Sequence, residues 1–219
     1  MERSYKYLGY FFLLLIPLIF AGFYKTYIIQ FPAFDKIKHN YIHIHAALAI
    51  VWVSLLIIQP FLIANKKLAW HRKLGKLSYI IFPLFILSFI PSIINNLRSD
   101  TPGNAFFPIG DSSLLILFYS LAIYYRKKSP VHMRYMICAA MVLLGPTIGR
   151  ILPIYFGLSE VPAQSIQFAV IQLILIILIM TDIRSNKNNT INKKKKYKPY
   201  LVAMAGWCVH QAVFFSLFL

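Results

Sequence analysis

The chain has 219 residues and a mass of 25.3 kDa, with 59% hydrophobic and 13% charged residues and a mean hydropathy of +0.65. Soluble domains carry roughly 45–50% apolar and about 25% charged residues, so disorder and a water-soluble globule are both disfavoured and an all-α, multi-pass integral membrane bundle is expected. The formal charge of +17 would suggest a nucleic-acid binder in a soluble chain, and its sign is interpretable only once the charges are placed.

Seven apolar runs predict spans at Tyr7–Tyr24, His43–Ala64, Leu77–Ile94, Ile109–Tyr125, Met133–Pro153, Val161–Thr181 and Pro199–Leu219. Met1–Lys6 is basic and Leu8–Phe20 apolar, as in a signal peptide. Ala21-Gly22-Phe23-Tyr24 offers no small-x-small cleavage site, so the run reads as an uncleaved first span. With a cytoplasmic N-terminus, the inner segments collect Arg3 and Lys6; Lys66, Lys67, Arg72, Lys73 and Lys76; Arg126, Lys127, Lys128 and Arg134; and Arg184, Lys187, Lys193–Lys196 and Lys198. That is 18 of the 23 basic residues. The outer segments keep Lys25, Lys36, Lys38, Arg98 and Arg150 beside Asp35, Asp100, Asp111 and Glu160. This positive-inside pattern makes the charge an orientation device that favours anionic lipid on the cytoplasmic face, with no nucleic acid as partner. The chain reads as one transmembrane domain over residues 1–219. Arg184–Lys198 would be a basic cytoplasmic linker before the last helix, its Asn188-Asn189-Thr190 sequon on the wrong side for glycosylation.

Prolines at Pro60, Pro83, Pro91 and Pro146 each remove a backbone donor inside a span and are candidate kinks. Cys138 and Cys208 both fall inside spans, where spacing assigns no disulfide; no CxxC motif favours thiolate zinc or covalent haem.

In chain order, the polar residues inside or beside the spans are the candidate site. Asp35, His39 and His43 are spaced i, i+4, i+8 and would align a carboxylate and two imidazoles for a transition metal if the second helix extends outward that far; exposed surface histidines are the plain alternative. His45, Trp52 and Gln59 recur every seven residues, within about 40° on one helical face. That stripe is either an interhelical hydrogen-bond ladder or one wall of a ligand cavity. His71 and His132 open the third and fifth spans from the same side and could clamp a b-type haem, with Arg72, Arg126 or Arg134 on its propionates. The same arginines could hold a lipid phosphate, or simply anchor at the interface. His210 is the deepest histidine, flanked by Trp207 and Gln211, and makes an outer-half pair with His45 if helix tilt removes an offset of ~10 Å. Arg150 near the other end of the fifth span needs acceptors, from Glu160, Asp111 or a ligand, or else snorkels to headgroups.

Taken together, His43-Ile44-His45, Trp52, Gln59, His71-Arg72-Lys73-Leu74-Gly75, Met133-Arg134-Tyr135-Met136 and Gly149-Arg150 resemble a family of bacterial multi-pass membrane proteins of unknown function, with an HxH … Q … HRxxG … RxM … R pattern over roughly residues 22–152. The resemblance implies the helical architecture and a bacterial inner-membrane location, and no reaction. Three functions follow from the residues. The first is a redox protein holding b-type haem or another metal, with quinone or a small acceptor as redox partner. The second is a small-molecule or ion transporter or binding protein whose polar path is lined by His45, Gln59, Arg150 and His210. The third is a lipid-headgroup-modifying enzyme, for which the absence of GxSxG, HExxH and DxD signatures and the presence of only six carboxylates are unfavourable.

Overall fold

The computed structural model describes residues 5–37, 39–187 and 196–219. In chain order it comprises α1 (Leu8–Leu13), α2 (Leu15–Tyr24), α3 (Tyr41–Ala64), α4 (Leu68–Leu87), α5 (Ile90–Leu97), α6 (Phe106–Tyr124), α7 (Ser129–Val142), α8 (Leu144–Phe156), α9 (Glu160–Lys187) and α10 (Lys198–Phe218). No strand occurs among the described residues. The predicted linker between α9 and α10 lies mostly outside them, including Lys193–Lys195 and the sequon.

The interruptions follow from proline chemistry. A proline cannot donate to the carbonyl four residues back. Accordingly α1 ends at Leu13, four before Pro17; α4 ends at Leu87, four before Pro91; and α7 ends at Val142, four before Pro146. Pro60 and Pro83, also expected as kinks, sit inside uninterrupted helices, as does Pro153. Each break is only one or two residues long, so the apolar stretch continues through it. Prolines in the first turn, where the missing N–H costs nothing, open α5, α7 and α10.

Among the described residues, six helical stretches are long and apolar enough to cross a membrane: 41–64, 68–97, 102–124, 129–156, 160–185 and 198–218; the apolar Leu8–Tyr24 helix is shorter. Boundaries depart from the sequence expectation chiefly in the third span, where α4 begins at Leu68. Trp70, His71 and Arg72 therefore lie on its first turns, before the expected start at Leu77. The core is apolar, but large apolar side chains are also widely exposed. Ile50, Leu87, Leu173 and Val209 are exposed, while Arg134, Asp182, Gln164, Gln167, Thr147 and His210 are buried. Lipid tolerates the first set and would leave the second unsatisfied, so the chain is an integral membrane protein.

Two compact units divide the chain. The first runs to Ser112 and the second is Ser113–Leu219, the boundary falling inside α6. In the first unit α3 packs along α4 and against α1; in the second, α9 packs against both α8 and α10, and α10 also against α7. The α7–α8 junction is buried on every side from Ile137 to Gly145, so this stretch forms the centre of the second unit.

Candidate functional site

In the first unit the stripe predicted on α3 faces the α4–α5 stretch along its whole length. His45 Nδ1 meets Ser88 Oγ at 2.8 Å. Trp52, 1% exposed, packs on Phe82 and Phe85 with ring centroids 5.0 and 6.3 Å apart. Gln59 donates its amide N–H to the ring Nδ1 of His71 and, at 3.3 Å, to the His71 carbonyl, while its oxygen accepts the Gly75 N–H at 3.0 Å. As the α3 position advances by seven, its partner retreats toward the start of α4. This antiparallel zipper is the interhelical ladder, realised with two polar rungs and one aromatic rung.

The rungs also fix proton positions. The Ser88 hydroxyl donates to the Phe85 carbonyl at 2.5 Å, so its oxygen accepts from His45, which carries its proton on Nδ1 and its lone pair on Nε2. His71 is the reverse: its Nδ1 accepts from Gln59, so its proton lies on Nε2. Arg72 is exposed beside it.

Outside the spans, the proposed Asp35–His39–His43 alignment does not form. The helix starts only at Tyr41, after Pro32 and a left-handed Phe34 (φ 52°) have bent the chain, so Asp35 and His39 are off it and exposed. His43 Nδ1 bonds the Tyr27 hydroxyl at 2.8 Å under the edge of Phe34, and His39 stacks on Tyr41. Burial pushes the Tyr27 hydroxyl above its ordinary pKa. Among the described residues no three His, Cys, Asp or Glu side chains gather as a metal would require.

The second unit holds the most deeply buried polar groups. Arg134, expected as a propionate or phosphate ligand, pairs side-on with Asp182 of α9. Its Nε donates to Oδ2 and Nη2 to Oδ1, each at 2.6 Å, and Nη1 donates to the Pro130 carbonyl at 2.8 Å; the two side chains are 0% and 1% exposed. His132 donates Nδ1–H to the Ala122 carbonyl at 2.8 Å, which leaves the neutral ring's lone pair on Nε2. Arg150 is exposed and donates to the Pro146 carbonyl within its own helix. Gln211 accepts an amide N–H from Gln172 of α9 at 2.8 Å.

Between these lies a feature the sequence reading missed. Gln164 and Gln167 on α9 are 7% and 3% exposed and converge on Gly149 of α8. A Cβ there would stand 3.0 Å from both Gln164 Nε2 and Gln167 Oε1, so any larger residue would press on the two carboxamides. The next residue, Phe168, turns to α10, where it meets Trp207 and His210 at centroid distances of 6.4 and 5.7 Å. Gln167 Oε1 and Trp207 Nε1 are both buried, and neither has a hydrogen-bond partner among the described residues. The available signal was the polar spacing of Gln164 and Gln167 inside an otherwise apolar span.

Comparison of the chain with protein-family models, with curated proteins and with solved structures finds no match.

Proposed function

We propose that this is a seven-span protein of the bacterial inner membrane with a cytoplasmic N-terminus, and that it binds or transports an uncharged small molecule within the bilayer through the second unit. The carrying observation is the pair of orphan groups on adjoining helices: an acceptor, Gln167 Oε1, and a donor, Trp207 Nε1. Each unmade buried bond costs about 1–3 kcal/mol, and lipid offers no water to make it. A molecule carrying both a donor and an acceptor, such as an amide, an alcohol or a quinol, has the groups to satisfy each of them. The buried ring of His210 beside Trp207 supplies a further polar wall. The orientation is supported by lysine–aromatic pairs at three predicted inner helix ends: Lys6 over Tyr7, Lys73 over Trp70 and Lys128 over Tyr125, at 5.5, 5.1 and 5.5 Å. Such pairs suit an interface rich in anionic lipid.

The test is thermal stabilisation of purified protein by neutral amides, alcohols and quinols. A ligand at about a hundred times its Kd adds roughly 2.7 kcal/mol, and Gln167→Leu or Trp207→Phe should abolish the shift. A panel without any stabilising member, or stabilisation that survives both substitutions, overturns the reading.

A second reading, the redox protein carrying b-type haem or a transition metal, is favoured by one observation. His45 and His132 both hold Nδ1–H in an orienting hydrogen bond, the arrangement in which Nε2 ligates a metal. A visible spectrum with a Soret band, or bound iron or copper, establishes it; a protein without either eliminates it.

A further inference from the structure

The polar pair on the outside of the second unit carries a different inference. Gln172 is the thirteenth of the 26 residues of the α9 span and Cys208 the eleventh of the 21 in α10, so both lie at mid-span, with Gln211 one turn away. Gln172 Nε2 donates to Gln211 Oε1 at 2.8 Å and approaches Cys208 Sγ at 3.9 Å. The other half of each carboxamide, Gln172 Oε1 and Gln211 Nε2, makes no hydrogen bond among the described residues. Both glutamines are only half-buried and Cys208 is exposed. A donor and an acceptor thus face outward at the depth where lipid can satisfy neither.

We infer that this face of α9 and α10 packs against the same face of a second copy of the chain. In a two-fold pairing, Gln211 Nε2 donates to the oxygen of the partner subunit's Gln172 and the reciprocal bond forms in return, so a donor–acceptor pair that is incomplete in one copy becomes closed in two. The α10 surface leaves room for it. Cys208, Ala212 and Ser216 are exposed at four-residue spacing, the small-residue pattern that lets membrane helices approach closely. No bound cofactor is needed, and the inference stands apart from the ligand proposed for the interior of the unit.

Cys208 reports on the contact directly, since Cys138, the only other thiol, is buried. In reconstituted vesicles of the full chain, a short bismaleimide should cross-link the protein to a dimer, and Cys208→Ser should remove the band. Replacing Gln172 and Gln211 together with Leu should weaken dimerisation by about three- to twentyfold in a dilution series. Ala212→Leu, which leaves the glutamines alone and obstructs the surface with bulk, should do the same where the double variant folds poorly. Cys208 that accepts a monofunctional maleimide without cross-linking overturns the inference, and so does cross-linking unchanged in a folded double variant or in Ala212→Leu.

Discussion

Asp182→Asn is the sharpest probe of the buried architecture. The Arg134 guanidinium has three of its donors fixed, two by the Asp182 carboxylate at 2.6 Å and one by the Pro130 carbonyl, in a setting with 0% side-chain exposure. Neutralising the carboxylate leaves a desolvated cation. Breaking a buried pair on one side costs about 3–5 kcal/mol, whereas replacing both partners with apolar residues of similar size is often neutral or stabilising. The expectation is therefore asymmetric: Asp182→Asn or Arg134→Met alone loses about 3–5 kcal/mol, and the double Arg134→Met, Asp182→Leu recovers most of it. At roughly 2–4 °C per kcal/mol, each single change lowers the apparent Tm by about 6–20 °C. The buried Cys138 thiol gives the assay, because in a Cys208→Ser background a thiol-reactive dye labels the protein only on unfolding. A single variant within about 1 kcal/mol of the parent, or a double variant whose losses simply add, would refute the account of the pair as a mutually dependent staple.

Other outcomes follow from the same reasoning. Gly149→Ala places a methyl 3.0 Å from two buried carboxamide atoms and should cost about 1–3 kcal/mol, read in the same dye assay; Gly75→Ala, whose Cβ meets only the Gln59 carboxamide at 3.9 Å, should be nearly silent. Gln59→Leu should lose about 1–3 kcal/mol because it removes the donor to the His71 ring Nδ1, and protease accessibility of the 65–67 turn checks the loosening. Trp207→Phe removes a buried donor that has no partner, so it should cost less stability than the volume lost suggests while abolishing ligand-induced stabilisation. Pro91→Ala restores the donor missing from the Leu87 carbonyl and should raise helicity across 87–91, seen as slowed amide exchange at those residues.

The elements legible in the sequence are those that a local rule decides. Membrane-length apolar runs announce helices because lipid permits only helices and closed barrels, and barrel strands are much shorter than these runs; the seven-residue recurrence of His45, Trp52 and Gln59 puts them on one face, since helical geometry leaves no choice. What they face was not legible, because a ladder and a cavity wall require the same periodicity; the structure places Ser88, Phe82 and Gly75 opposite them. The i, i+4, i+8 alignment of Asp35, His39 and His43 rested on a premise the sequence could not supply, that the helix continues outward past Tyr41. Asp182 was passed over for the converse reason. Near the end of an apolar run an aspartate looks like an ordinary boundary residue, and its burial is set by Arg134, 48 positions away. The pair illustrates the physical limit: hydrophobic period reports which side of a helix is apolar, whereas the cost of a buried charge depends on a partner whose identity is fixed by packing. For that reason the informative residues in α9 were the ones interrupting its apolar run. Gln164, Gln167, Gln172 and Asp182 are four departures from hydrophobicity inside a single span, and each is either matched by a group on a neighbouring helix or marks where a match has to come from elsewhere.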